Sequence, residues 1–232
     1  MNFKNIRKYF RIRPHNCYSF FGEDLLINKI FKDKKKGFYI DIGCNHPKNG
    51  SITYLLYKKG WTGINIDINK ENIEQMQFFR KKDLSLNLGI SNSNKKMKFY
   101  KFSGGSALNT LNKSYADSIK RKINLHYSQE SIRMFTLDKI IEKYKIKEID
   151  FLNIDVEKHE NEVFEGFNLK KIRPKLITVE LLKRELNELT ETKIFKTLYR
   201  NDYICIANYF ATSFFVLKEF VTESKFLDFT ND

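Results

Sequence analysis

Twice early in this chain an acid closes an apolar run just before a turn: Asp41 opens the heptapeptide DIGCNHP, and Asp67 ends the segment GINID. A carboxylate at such a strand-to-loop corner can accept hydrogen bonds from an ammonium group or a hydroxyl. The glycine beside it lets the backbone approach a ligand closely. Two consecutive strands ending in acids are a common way for an open α/β sheet to hold a nucleoside-bearing cofactor. Asp41, Gly43, Asn45, Asp67 and Ile68 are therefore the candidate cofactor contacts. Farther along, Asp155, Glu157 and His159 follow another apolar run, and Glu180 ends the next one. Converging on a cleft, Asp155, Glu180 and His159 suit a hard-cation site for Mg²⁺ or Mn²⁺. They suit a metal-free carboxylate or imidazole base equally well. His46, beside the first corner, is a further candidate base or ligand, with a plain turn residue as the alternative. Ser106, Asn109 and Thr110 follow a Gly-Gly pair. Together with Glu157 they could contact the hydroxyls of an acceptor, or simply cap the loop.

These groups need a scaffold, and the hydrophobic pattern supplies one. Strands are expected at 38–41, 62–67, 84–90, 97–102, 149–155 and 176–181, with a final pair at 203–208 and 214–217. Helices are expected at 23–31, 51–59, 69–80, 136–144 and 160–167, and around 194–199, with Asn69 as an N-cap and Gly60 closing the helix before it. Strands alternating with helices and finishing in a close strand pair predict an α/β fold. Its mostly parallel, Rossmann-like sheet would carry an antiparallel C-terminal hairpin. Residues 95–133 read as a small insertion, irregular from 103 onward. One domain is expected, with residues 1–36 as a basic helical N-terminal segment and 37–218 as the catalytic core.

The corner also discriminates between cofactors. A nicotinamide dinucleotide calls for G-x-G-x-x-G, so that a helix N-terminus can hold the pyrophosphate. Here Gly43, Asn45 and Gly50 occur with Pro47 between them, and the diphosphate cradle is missing. A carboxylate at the end of the first strand repels pyrophosphate but suits an α-ammonium group, and Asp67 suits a ribose diol. The chemistry therefore favours S-adenosylmethionine over NAD.

Composition narrows the class further. A chain of 232 residues with 15% aromatics can bury a substantial core. No apolar run reaches the roughly 18 residues of a membrane span. The basic N-terminus lacks the apolar stretch of a signal peptide, so a cytoplasmic location is expected. Three widely spaced cysteines argue against a disulfide framework or a thiolate zinc site. Phe3, Ile6 and Phe10 share helical spacing within a basic segment, which reads as a helix packed on the domain's flank; peripheral contact with a membrane surface is the second reading. The net charge of +14 invites a nucleic-acid partner, but no nucleic-acid motif accompanies it. Solvated lysine faces, or attraction to a phosphorylated small substrate, explain the charge better.

The segment GFYIDIGCNHPKNGSITYLLYKKGWTGINID at 37–67 resembles the FkbM-type S-adenosylmethionine-dependent methyltransferases. FLNIDVEKHENEVFEGF at 151–167 and RPKLITVEL at 173–181 are similar to that family's later signatures, in the same order, and the resemblance spans roughly residues 37–218. It implies a class I methyltransferase fold with the cofactor over the C-terminal ends of the first strands. It also implies O-methylation of a hydroxyl, with a sugar or nucleotide-linked sugar as the acceptor, as in surface-polysaccharide biosynthesis. Lys158 stands where the family usually has glycine, and Cys44 where alanine is usual. The alternative function from another class is a nucleic-acid-binding or nucleic-acid-methylating protein using the basic surface.

Overall fold

The computed structural model describes residues 17–102, 108–183 and 185–224. Ser106, the Gly104-Gly105 pair and the predicted helix around Phe3 to Phe10 lie outside the described residues. The first half alternates as the sequence predicts: α1 (Glu23–Ile30), β1 (Phe38–Ile42), α2 (Tyr54–Lys58), β2 (Thr62–Asp67), α3 (Lys70–Phe79) and β3 (Leu84–Asn87). Asn69 caps α3, its side chain accepting a hydrogen bond from the Glu71 amide at 3.3 Å. Next come β4 (Gly89–Ile90), β5 (Lys95–Phe102), α4 (Lys113–Ile123), β6 (Tyr127–Phe135) and α5 (Leu137–Lys143). The remainder is β7 (Phe151–Ile154), α6 (Glu160–Glu165), β8 (Leu176–Glu180), α7 (Leu186–Thr190), α8 (Lys193–Arg200), β9 (Tyr203–Tyr209), β10 (Thr212–Leu217) and α9 (Lys218–Ser224).

Seven strands form the main sheet in the order β3-β2-β1-β7-β8-β10-β9. β3, β2, β1, β7 and β8 pair in parallel, whereas β10 runs antiparallel to both β8 and β9. The C-terminal hairpin thus inserts its second strand next to β8 and leaves β9 at the edge. Side chains alternate between two buried faces, as period-2 geometry requires. Ile40, Leu152, Ile177 and Phe215 pack on one face. Tyr39, Phe151, Leu176 and Phe214 pack on the other, against Trp61 and α1.

The insertion is more regular than the sequence suggests. β5 and β6 pair antiparallel over their whole length, from Lys95↔Met134 to Phe102↔Tyr127, and β4 joins β6 in a second, three-stranded sheet. The pattern hides this because only Ile132 and Met134 are buried along β6, and only Ala116 and Ile119 along α4. Long-range pairing rather than local alternation makes the two strands. The single strand expected at 84–90 likewise splits in two. Gly89 lies so close to Met134 that an added Cβ would sit 2.4 Å from its sulfur, which places β4 on the second sheet.

Chain order reverses between β1 and β7: from β1 the sheet runs back to β2 on one side and jumps to β7 on the other. At such a switch point the loops leaving neighbouring strands diverge and open a cleft above their C-terminal ends. No helix of the described residues is long and apolar enough to cross a membrane.

Candidate active site

A cavity of about 230 Å³ occupies this switch point. Asp41, Gly43, Asn45, Asp67 and Ile68 line one half of it; Asp155, Glu157, His159 and Glu180 line the other, with Asn109 from the insertion.

Gly43 is required by geometry. Its φ is +84°, and a Cβ there would lie 1.7 Å from the Asp155 carbonyl oxygen. The β1 corner therefore presses directly against the loop leaving β7. The Gly43 and Cys44 amides both donate to the Ile66 carbonyl, at 2.8 and 3.2 Å. They fix the corner to β2, so the glycine's close approach is to protein backbone. Cys44 packs with Ile73 and Met76, a small apolar filler as its type suggests.

Asp41 is 1% exposed and already engaged: Thr53 Oγ1 donates to Oδ2 at 2.7 Å and Asn153 Nδ2 to Oδ1 at 2.9 Å. Burial raises its pKa, while those two bonds and the nearby Arg80 charge pull it back down. Asp67 accepts from the Asn69 amide at 2.7 Å, the Asn45 amide at 2.9 Å and Asn72 Nδ2 at 3.1 Å. A carboxylate offers about four acceptor positions, so about one is left unused, fewer than the two that a ribose diol calls for. Burial pushes the Asp67 pKa up to about 6 against these hydrogen bonds.

On the other side, Asp155 follows β7 and Glu180 ends the adjacent β8, one step beyond the Ile154↔Val179 pair. The Asp155 amide donates to the Ile42 carbonyl at 2.9 Å, so its backbone is held against β1. The Asp155 carboxylate keeps an open surface, but much of its surroundings are protein and acid. Desolvation, then repulsion from Glu180, Glu157 and Glu160, raise its pKa well above the ordinary carboxylate range. Desolvation and the same acidic neighbours bring Glu180 to about 7. Both therefore hold a proton more readily than an ordinary carboxylate.

Glu157 and Lys158 both adopt left-handed backbone, with φ of +53° and +79°. At Lys158 the resemblance expects glycine, and the lysine is held there in the conformation that glycine adopts freely. The turn is clamped by the insertion: Thr110 Oγ1 donates to the Glu157 carbonyl at 2.9 Å, and the Tyr115 hydroxyl bonds the Glu157 carboxylate.

Not all predicted site residues meet. His46 is absent from the lining; its Nδ1 accepts from the Lys48 and Asn49 amides at 3.0 and 2.9 Å. It is the turn residue of the alternative reading. Thr110 is fully buried in its clamp and does not reach the cavity. His159 does line the cavity, but its Nε2 shares a 3.0 Å hydrogen bond with Ser91 Oγ and its Nδ1 lies 3.6 Å from Glu162. Burial lowers its pKa and keeps the ring neutral. It does not join Asp155 and Glu180 in a ligand set. Among the described residues no group of three or more His, Cys, Asp or Glu side chains is arranged to hold a metal. The donor set does not fit Mg²⁺ or Mn²⁺, and that expectation is corrected.

Residues 41–205 match the sequence model of the methyltransferase FkbM domain. The chain belongs to the FkbM methyltransferase family. Among solved structures it is similar to a TehB-like SAM-dependent methyltransferase from Corynebacterium glutamicum, at 10% identity and TM-score 0.44, with 93% of this chain and 94% of that one covered. It is also similar to an O-methyltransferase from Bacillus cereus in complex with SAH, at 13% identity and TM-score 0.43, covering 92% and 88%. No curated protein sequence matches the chain. As an FkbM family member the protein is a methyltransferase that draws on S-adenosylmethionine.

The FkbM chain carries one organising residue that the sequence reading missed. Arg80, 0% exposed, donates through Nε to the Pro47 carbonyl at 2.8 Å. Its other nitrogens reach Thr53 Oγ1 at 2.8 Å, Ser51 Oγ at 2.5 Å and Tyr39 Oη at 3.2 Å. It lies 3.8 Å from Asp83 and faces the rings of Tyr54 and Tyr57. One guanidinium thus ties the loop after β1 to the Thr53 hydroxyl that bonds Asp41. Nothing local marks it, since an arginine at a helix end is ordinary on a surface.

Proposed function

We propose that this FkbM methyltransferase is an O-methyltransferase that transfers the methyl group of S-adenosylmethionine to a hydroxyl of a sugar or nucleotide-linked sugar. The observation that carries the reading is the placement of two pairs of acids on opposite sides of the switch point: Asp41 near the end of β1 and Asp67 at the end of β2, Asp155 just after β7 and Glu180 at the end of β8.

In this reading Asp67 accepts a ribose hydroxyl at its remaining acceptor position, held in place by Asn45, Asn69 and Asn72. Ile68, Leu88 and Ile90 supply apolar walls, suited to a planar base. Asp41, buried and already bonded twice, supplies negative potential toward a cationic ligand more than a direct contact. S-adenosylmethionine supplies the electrophilic methyl group when bound. The chain's own task is to align the acceptor oxygen and remove its proton. The Asp155–Glu180 pair suits proton removal: a carboxylate whose pKa approaches 7 matches a base working near neutral pH. Glu157 and Asn109 border the same space and would orient the acceptor's other polar groups.

The test is release of S-adenosylhomocysteine from S-adenosylmethionine over a panel of sugars and nucleotide-linked sugars, beside calorimetric titration of S-adenosylhomocysteine. Turnover of a sugar hydroxyl is expected. Intact cofactor binding with no turnover anywhere on the panel would sink the acceptor assignment.

A further inference from the structure

The charge of the cavity is opposite to that of the molecule. The chain as a whole carries +14, yet Glu23, Asp41, Asp67, Asp155, Glu157 and Glu180 line the cavity and, among the described residues, no lysine or arginine does so. Two described cations close to the lining do not reverse this. Arg80 is sealed beneath the β1 loop with no exposed surface, and Lys158 acts on Glu157 and Glu180 from outside the lining. An acidic lining alone could be a by-product of packing, but a second feature points to a ligand. Asn109 is 9% exposed, and its Oδ1 accepts the Phe102 amide at 2.9 Å, which fixes the orientation of the side-chain amide. Its Nδ2 then remains as a buried donor without a partner among the described residues, on a residue that lines the cavity. Leaving such a donor unpaired costs roughly 1–3 kcal/mol, which an oxygen of a bound molecule would recover. At the mouth, Phe20 lines the cavity while remaining 74% exposed, and offers a flat apolar face.

Resting on the O-methyltransferase reading, we infer that the cavity admits the non-anionic part of its acceptor, an uncharged or amine-bearing polyhydroxy ring, and excludes phosphate and carboxylate groups, with Asn109 Nδ2 donating to a ring or hydroxyl oxygen. The carboxylates accept hydrogen bonds from hydroxyl or ammonium protons, and the asparagine supplies an uncommitted donor for such a ring's oxygens. A phosphate placed among these acids would meet repulsion with no cation of the described lining to offset it. Any phosphate on the acceptor must therefore lie outside, on the basic surface. The +14 charge then describes that outer surface and not the reacting group.

The test begins with calorimetry of S-adenosylhomocysteine to the full chain, then uses the loaded protein. Binding of neutral methyl glycosides, amino sugars and the corresponding sugar 1-phosphates is compared by saturation-transfer NMR at about 0.15 M salt, where surface charge is largely screened. Neutral or amino sugars are expected to bind at least tenfold more tightly than their phosphates. Asn109→Asp keeps an acceptor for the Phe102 amide, removes the donor and adds a negative charge, so Asn109→Ala, which removes the donor without adding charge, is measured beside it. Both should weaken neutral-sugar binding about tenfold and leave S-adenosylhomocysteine affinity unchanged, while Glu157→Gln should narrow the penalty on phosphates. Equal or tighter binding of the phosphates overturns the inference, as does an unaltered sugar affinity in Asn109→Asp. Failure of every neutral and amino sugar to bind the loaded protein overturns it too. Failure of S-adenosylhomocysteine itself to bind strikes instead at the methyltransferase site on which the inference rests.

Discussion

Glu180 and Asp67 carry the two resolved, strongly raised carboxylate pKa values in the cavity, about 7 and about 6. Each value lies above the ordinary one, so the folded state binds the proton more tightly than the unfolded chain. The stability each contributes is full below its unfolded pKa, near 4, and is lost as pH rises through the folded value. Glu180→Gln should therefore stabilise the protein at pH 8 by on the order of 1–2 kcal/mol, and by almost nothing near pH 4.5. Thermal unfolding of both proteins at the two pH values checks this. The same substitution should lower kcat at least a hundredfold if the pair is the base, because the amide cannot take a proton. The wild-type kcat should climb with pH through about 7. Asp67→Ala should instead weaken S-adenosylhomocysteine binding by ten- to a hundredfold in calorimetry, with a smaller effect on kcat at saturation.

At the scale of elements, the β1 corner, α3 and the turn after β7 form one joined unit. Gly43→Ala would drive a methyl group into the Asp155 carbonyl and should cost more than about 3 kcal/mol in denaturant unfolding, with cofactor binding lost alongside. Lys158→Gly acts in the opposite sense. It relieves a side chain held at φ +79° and should stabilise by about 1 kcal/mol, the relief of strain exceeding glycine's added chain entropy. Arg80→Met removes the cation beside buried Asp41 and Asp83 and breaks four hydrogen bonds. A loss of about 3–5 kcal/mol is expected. Arg80→Lys should recover little of it, because an ammonium cannot span carbonyl, hydroxyls and phenol together.

At the scale of the whole molecule, the order of two sheets and one switch point explains why some of this was legible in the amino-acid order and some was not. The strands on either side of Asp41, Asp67, Asp155 and Glu180 were legible because buried parallel strands are short, nearly continuous apolar runs, and the acids mark where each one stops. The N-cap Asn69 was legible because capping is local. The strand at 97–102 was legible, but its β6 partner and α4 were not, since only two side chains of each are buried. The roles of His46, Thr110 and Arg80 depended on which distant groups came near them. A histidine beside a cofactor-like corner can be a base or a turn residue, and only the Lys48 and Asn49 amides decide. The amino-acid sequence by itself determined the alternation of elements, the family signatures and the acids at the strand ends, because these follow from hydrophobic period and local backbone chemistry. Tertiary structure alone decided that Asp155 and Glu180 become partners while His159 turns to Ser91. It alone left one acceptor position on Asp67 and oriented an unpaired Asn109 donor on the lining of an acidic cavity within a basic protein. Proximity between residues a hundred positions apart is set by strand order and register, and neither is written in any local run of residues.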